Sequence, residues 1–323
     1  MPQEVERVSS TTAKSKQGVL QKLVPFLGLF LIITIITILN PDFLSVNNLL
    51  NVLRQVSINA IIAFGMTFVI LTGGIDLSVG SILALTGAVT AGMMAGGTDP
   101  ILAMLLGLIL GALLGAVNGI LISKGNVAPF IATLATMTIY RGLTLVYTEG
   151  RPISGLGDSL TFQMLGKGYF FGIPVPVVTM LVSFGILYFI LKKTTFGRRV
   201  YAVGGNEEAS KLSGIKTGRI KIYVYALTGF LSALAALILT SRLNSAQPTA
   251  GQMFELDAIA AVVLGGTSLT GGRGWIVGTL IGALIIGVLN NGLNLIGVSS
   301  FFQQVVKGLV ILFAVLIDRK KLI

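Results

Sequence analysis

Apolar runs of membrane-spanning length follow one another along almost the whole chain, separated by short polar stretches. A helix needs roughly 20 mostly apolar residues, within a range of about 17–25, to cross a bilayer. Such runs lie at 23–39, 48–72, 75–96, 101–123, 128–148, 174–191, 222–242, 256–270, 275–296 and 301–317. The eighth is short and rich in Gly and Thr, so it is the one that could instead be a broken or re-entrant helix packed inside protein. The pattern predicts an all-α polytopic membrane protein of about ten transmembrane helices. Residues 1–22 form a polar N-terminal tail, 23–318 the transmembrane domain and 319–323 a short C-terminus. No small-x-small cleavage site follows the first run before Asn40-Pro41, so that run reads as a retained helix and not as a signal peptide.

Basic residues separate the two sides of these spans. Arg7, Lys14, Lys16 and Lys22 precede the first run, Lys124 follows the fourth, and Arg273, Arg319, Lys320 and Lys321 lie near or at the end. Between 192 and 221 come Lys192, Lys193, Arg198, Arg199, Lys211, Lys216, Arg219 and Lys221. If ten helices alternate, all of these fall on one side. The other side holds Arg151 and Lys167, with Arg242 at a helix end. The positive-inside rule then puts both termini in the cytoplasm, with 192–221 a cytoplasmic loop and 149–173 an external one. An odd number of spans would turn the basic C-terminus outward, which favours counting the eighth run.

Composition narrows the class. Only 11% of the 323 residues are charged and 54% are apolar, and mean hydropathy is +0.90. Soluble domains carry roughly 25% charged residues. The net charge of +11 would suit nucleic acid, but the basic residues sit in short stretches between apolar runs. The 41 glycines suit closely packed membrane helices. Gly107, Gly111, Gly115 and Gly119 fall four apart on the fourth helix and predict close packing within the molecule in preference to a dimer interface. With no Cys and no His, disulfides, thiolate metal sites and His-based triads are excluded. No G-x-x-x-x-G-K-[ST] phosphate loop occurs, and deeply placed carboxylates are few. The chain neither binds ATP through such a loop nor carries an obvious proton relay or catalytic constellation.

Two features suggest internal organisation. Leu71-Thr72-Gly73-Gly74 recurs as Leu269-Thr270-Gly271-Gly272, and Val79-Gly80-Ser81 recurs at the same offset as Val277-Gly278-Thr279. Parallel repeats are a common plan in transporters, with chance among many glycines the competing account. Polar residues inside apolar helices form the second feature. Arg54, Gln55 and Asn59 lie in the second span, Arg141 in the fifth, Glu255 and Asp257 at the start of the eighth. Asn290, Asn291 and Asn294 close the ninth, and Gln303, Gln304 and Lys307 open the tenth. Each is costly in a membrane and so marks either a pathway or an interhelical pair. Amides suit neutral polyhydroxyl ligands, and Asn59, Arg141, Asn290, Asn291 and Asn294 are the pathway candidates. Asp76 is expected to cap the third helix.

The sharpest local signal lies between 196 and 215. Gly204-Gly205 predicts a turn, Asn206 an N-cap, Glu207 and Glu208 a first helical turn, Lys211 the last turn and Gly214 the stop. The result is a short helix exposing Ala209 and Leu212 between basic flanks, either a plain solvated loop or a docking element.

The run Gly197 to Ile215, centred on Tyr201-Ala202-Val203-Gly204-Gly205-Asn206, resembles the cytoplasmic signature of bacterial monosaccharide ABC-importer permeases. So do Gly65-Met66-Thr67 leading into Leu71-Thr72-Gly73-Gly74-Ile75-Asp76, the segment Ser245 to Gly251, the stretch Glu255 to Leu269, and Asn290-Asn291-Gly292-Leu293-Asn294. The resemblance covers nearly the whole chain beyond residue 20. It implies a pairing permease subunit, a separate cytoplasmic ATPase that binds ATP-Mg, and an external sugar-binding protein. No cofactor is then expected on this chain. It also implies that Gly204, Gly205, Asn206, Glu207, Ala209, Leu212 and Gly214 form the ATPase contact. Ribose is the expected sugar, with galactose or xylose as alternatives. An ion-coupled secondary carrier or a membrane enzyme would be the readings from other classes.

Overall fold

The computed structural model describes residues 24–157 and 159–319, so the tail expected over 1–22 and all of the C-terminus beyond Arg319 lie outside the described residues. The described chain is almost entirely helical. It opens with α1 (Val24–Leu39) and a short 3-10 turn at Pro41–Leu44. Then come α2 (Val46–Leu71), α3 (Val79–Ala95), α4 (Pro100–Ser123) and α5 (Pro129–Thr148). A peripheral stretch follows, with the short α6 (Leu160–Lys167) and a two-stranded antiparallel hairpin, β1 (Tyr169–Phe170) and β2 (Ile173–Pro174), in which Tyr169 faces Pro174. The second half runs through α7 (Val175–Lys193), α8 (Thr195–Gly205), α9 (Glu207–Leu212) and α10 (Thr217–Leu243). It ends with α11 (Phe254–Leu264), α12 (Ile276–Leu295) and α13 (Ser300–Arg319).

Six of these helices, α2, α4, α5, α7, α10 and α12, are long and apolar enough to cross a membrane; α1 and α3 are apolar but shorter. The starts and stops have local causes. Asp99 caps α4 by accepting from the Ile101 and Leu102 amides at 2.9 and 3.1 Å, with Pro100 at the first helical position. Asn244, at left-handed φ, ends α10.

The eighth run is not a full span but the broken helix that its Gly and Thr content also allowed. The helix here runs only from Phe254 to Leu264, and its 11 residues reach about 16 Å, half the bilayer's apolar thickness. The cause is the non-helical stretch from Gly265 to Trp275, where Gly266, Gly271 and Gly272 take positive φ. The third predicted span is also shortened, because residues 75–78 are not helical. Nor does Asp76 cap α3. Its Oδ1 accepts from the Ser78 amide and hydroxyl at 2.9 and 2.6 Å, a turn that leaves Ser78 at the N-cap position.

Helix α2 is the centre of the bundle. Most of its second half is buried, and α10, α12, α11 and α7 pack around it. Outer helices such as α4 and α5 turn large apolar side chains outward, as lipid-facing helices do. The α4 glycines pack inside the molecule as expected. A Cβ on Gly111 would fall 2.6 Å from the Gly229 carbonyl oxygen, one on Gly119 2.5 Å from the Ile222 Cα, and one on Gly115 would collide with the Tyr225 carbonyl. Helix α10 can therefore lie against α4 backbone to backbone.

The two copies of the repeat meet in space. The Gly272 amide donates to the Leu71 carbonyl at 3.0 Å, and the Thr67 and Thr279 hydroxyls bond at 2.8 Å just beyond. This is the end of the bundle where α2 stops and α3 and α12 begin. Lys124, Lys192, Lys193, Arg198, Arg199, Lys216, Arg219, Lys221 and Arg273 lie at or next to the helix ends that meet here.

Gly115→Leu should drive α4 from α10 and lower the melting temperature of the detergent-solubilised protein by an amount corresponding to about 1–3 kcal/mol or more. Gly142→Ala on α5, where a Cβ meets nothing within 4 Å, should leave it unchanged.

Candidate functional site

At the Leu71 end the chain builds an elbow from α8 and α9. Thr194 caps α8, and Phe196 stacks on Phe68 of α2 with ring centroids 6.4 Å apart. The predicted turn at Gly204-Gly205 is corrected: both glycines belong to α8, and the chain turns at Asn206, whose backbone is extended. Gly204 lacks a side chain because a Cβ there would strike the Leu71 carbonyl and come within 2.6 Å of the Gly272 nitrogen. Asn206 then caps α9 through Oδ1, which accepts from the Ala209 amide at 2.9 Å. Gly214, at φ +79, ends the helix as its sequence position suggested.

Glu207 fixes this short helix to the bundle. Its carboxylate accepts from Lys221 at the foot of α10 at 2.7 Å, and Lys211 lies 3.7 Å away. Partial burial alone would raise the Glu207 carboxyl, but the hydrogen bond and charge of Lys221, with Lys211, hold it below its ordinary value. The hydrogen bond and charge of Glu208, with Glu207, raise the Lys211 ammonium. Ala209 and Leu212 point away from the protein, and Leu212 is 89% exposed. An apolar, exposed tip on a firmly held short helix is a surface suited to a partner.

The membrane-embedded candidates separate into three kinds. Asn59 and Asn290 each keep a buried amide oxygen with no hydrogen-bond partner among the described residues. They flank the place where Gly287 of α12 receives Val56 of α2, each three residues further along its own helix. Asn291 is committed elsewhere, exchanging two amide bonds with Asn48 at 2.9 and 3.0 Å. Asn294 is exposed near the end of α12 and accepts from Gln303 at 3.4 Å.

Arg141 is a third case. Its Nη1 donates to the Pro248 and Ala250 carbonyls at 2.8 Å each, and its Nη2 to the Gly80 carbonyl at 3.3 Å. The guanidinium thus satisfies the backbone of 244–253, an irregular stretch that turns into the bundle between α10 and α11. There Gly251, at φ +72, lies directly against Gly80.

Several participants carried no sequence signal strong enough to single them out. Asn118 donates to Ser78 at 2.7 Å; Tyr225 and Thr133 both donate to the Ile75 carbonyl, at 3.3 and 3.2 Å. Tyr201 donates to the Gly274 carbonyl at 2.8 Å. Lys307 and the buried Asp257, by contrast, both stood out in the sequence, and they form an interhelical pair at 3.0 Å that ties α13 to α11.

Residues 48–315 match the family described as "Branched-chain amino acid transport system / permease component". The chain belongs to this permease family. The permease is also 71% identical, over 94% of both chains, to the ribose import permease protein of Bacillus subtilis (strain 168). It is 55% identical to that of Escherichia coli (strain K12), over 91% of this chain and 92% of the relative. The D-allose transport system permease protein of the same strain is 43% identical, over 91% and 90%. No solved structure matches. Together with its long apolar helices, this makes the permease a multi-pass protein of the bacterial inner membrane.

Because the Glu207 carboxyl is held below its ordinary value, its link to Lys221 stabilises the fold above the unfolded-state pKa. That contribution is lost as pH falls through the lower folded value. Glu207→Gln should therefore melt below the parent near neutral pH, and the gap should close in acid. Melting temperature against pH for the two proteins checks this.

Proposed function

We propose that the permease is the membrane-spanning subunit of an ATP-driven importer that brings ribose into the cell. The observation that carries this is the 71% identity to a ribose import permease over 94% of both chains. The family description names branched-chain amino acids, while the relatives named above carry ribose and allose. A family that broad fixes the architecture, and the far closer relatives indicate the cargo.

Orientation follows from charge. The end of the bundle with α8 and α9 gathers most of the basic residues, so it faces the cytoplasm, with 192–221 the cytoplasmic loop and 149–173 external. Both termini are then cytoplasmic and about ten helical segments, some of them broken, cross or enter the membrane. The exposed tip of α9, with Gly205, Ala209, Leu212 and Gly214, meets a separate ATPase subunit that holds ATP-Mg. Asn206 and Glu207 hold that tip in place, and Gly204 seats the elbow. A sugar-binding protein delivers ligand outside, two copies of the permease pair in the membrane, and this chain binds no cofactor itself. Asn59 and Asn290 offer unpaired amide oxygens to sugar hydroxyls, while Asn291 and Arg141 shape the path and Asn294 stands near its outer mouth.

Deleting this chain alone should abolish uptake of labelled ribose, and the reconstituted complex should require ATP. Uptake driven by an ion gradient without the ATPase would overturn the proposal in favour of a secondary carrier. Asn59→Ala should lower ribose flux about tenfold, in keeping with the loss of one or two hydrogen bonds, with ATPase association unchanged. Unchanged flux would remove Asn59 from the path.

A further inference from the structure

The two Leu-Thr-Gly-Gly turns and the end of α8 form one backbone junction. Leu71 O accepts from Gly272 N at 3.0 Å, joining the turns to each other. A Cβ on Gly271 would lie 2.9 Å from the Gly73 nitrogen and 3.0 Å from the Gly204 carbonyl oxygen. One on Gly272 would lie 2.8 Å from the Gly205 nitrogen, and one on Gly204 would overlap the Leu71 carbonyl. Three separate stretches of main chain therefore touch with no side chain between them. Tyr201, one helical turn earlier on α8, adds its hydroxyl bond to Gly274, and Phe196 stacks on Phe68.

The position of this junction matters as much as its tightness. Helix α9 begins three residues after Gly204. Helix α3 begins six residues after Gly73, and α12 two residues after Gly274. Flexible side chains can absorb a displacement by changing rotamer, whereas main chain packed on main chain cannot. A cover that merely shielded the turns would need no such contact.

We infer that Gly204 and Tyr201 are positioning residues that lock the α8–α9 elbow to both turns, so that a displacement of α9 reaches the bases of α3 and α12 together. The inference rests on the reading of α9 as the ATPase contact. It assigns Gly204 a different job from the exposed tip: Leu212 receives the partner, and Gly204 passes the movement on.

The test uses the complete complex in proteoliposomes, reading ATPase association, ATP hydrolysis and ribose uptake. Tyr201→Phe, which adds no atoms, should lower uptake per ATP about fivefold, the loss expected for one hydrogen bond, with ATPase association unchanged. Gly204→Ala should lower it further, and Gly185→Ala, whose Cβ meets nothing within 4 Å, should have no effect. If Gly204→Ala does not accumulate in the membrane, Tyr201→Phe decides. Parent-like uptake per ATP in Tyr201→Phe, or association lost in step with uptake, would overturn the inference. Leu212→Asp tests the underlying reading separately: if it leaves association intact, the α9 contact is wrong, whatever Tyr201→Phe does.

Discussion

A chain in an apolar bundle must satisfy every main-chain N–H and C=O from within itself, because no water is at hand to do so. Continuous helices meet this demand automatically, and the long ones here need nothing else. The permease breaks its helices at 72–78, 244–253 and 265–275, and each break exposes carbonyls that must be answered. Tyr225 and Thr133 answer Ile75 in the first, Arg141 answers Pro248 and Ala250 in the second, and Trp275 and Tyr201 answer Gly265 and Gly274 in the third. Many of the polar side chains inside this protein are spent in this way.

The same constraint explains the glycines. Irregular main chain can be satisfied by neighbouring main chain only if the two approach to hydrogen-bonding distance, which a Cβ prevents. Hence Gly272 can donate to Leu71, while Gly251 against Gly80 and Gly204 under both turns are close backbone contacts that a Cβ would likewise prevent. On α4 and α10 glycine serves a different end. There the helices are intact, and removal of side chains increases dispersion contact between two backbones where no hydrophobic drive separates helix from lipid.

Much of this was legible from sequence wherever the signal was local. Apolar runs located the long helices to within a few residues, because membrane thickness sets their length. Asn206 read as a cap, and Gly214 as a stop, because capping depends on neighbours in the chain. Arg141 was legible only as a costly charge in an apolar helix, since its carbonyl partners lie about a hundred residues away. Gly204 suggested a turn because the Leu71 carbonyl that forbids a side chain there is equally remote. The Asn48–Asn291 pair and the Tyr201 bond were invisible for the same reason. Asn59 and Asn290, in contrast, kept the polarity that drew notice, and their amide oxygens gained no hydrogen-bond partner among the described residues.

The breaks also stand in a sequence that connects the two ends of the bundle. The stretch leading into α3 is held on one side by the junction at Gly73 and Gly204. A short way on, at Gly80, it is held by Gly251 and by Arg141, which in turn holds the backbone of 244–253. That segment runs directly into α11, whose Asp257 is paired with Lys307 of α13. The bare backbone contacts among these links have little slack to absorb a shift of the α3 base, whereas Arg141 and Lys307 join through side chains that can change rotamer. At Gly80 the α3 base therefore bears directly on the 244–253 segment, whose Pro248 and Ala250 carbonyls are held by Arg141. The cost of leaving those carbonyls unsatisfied favours moving the segment as a unit. A broken segment held by an arginine is thus kept in place against its neighbours although its own backbone no longer supplies the hydrogen bonds of a helix.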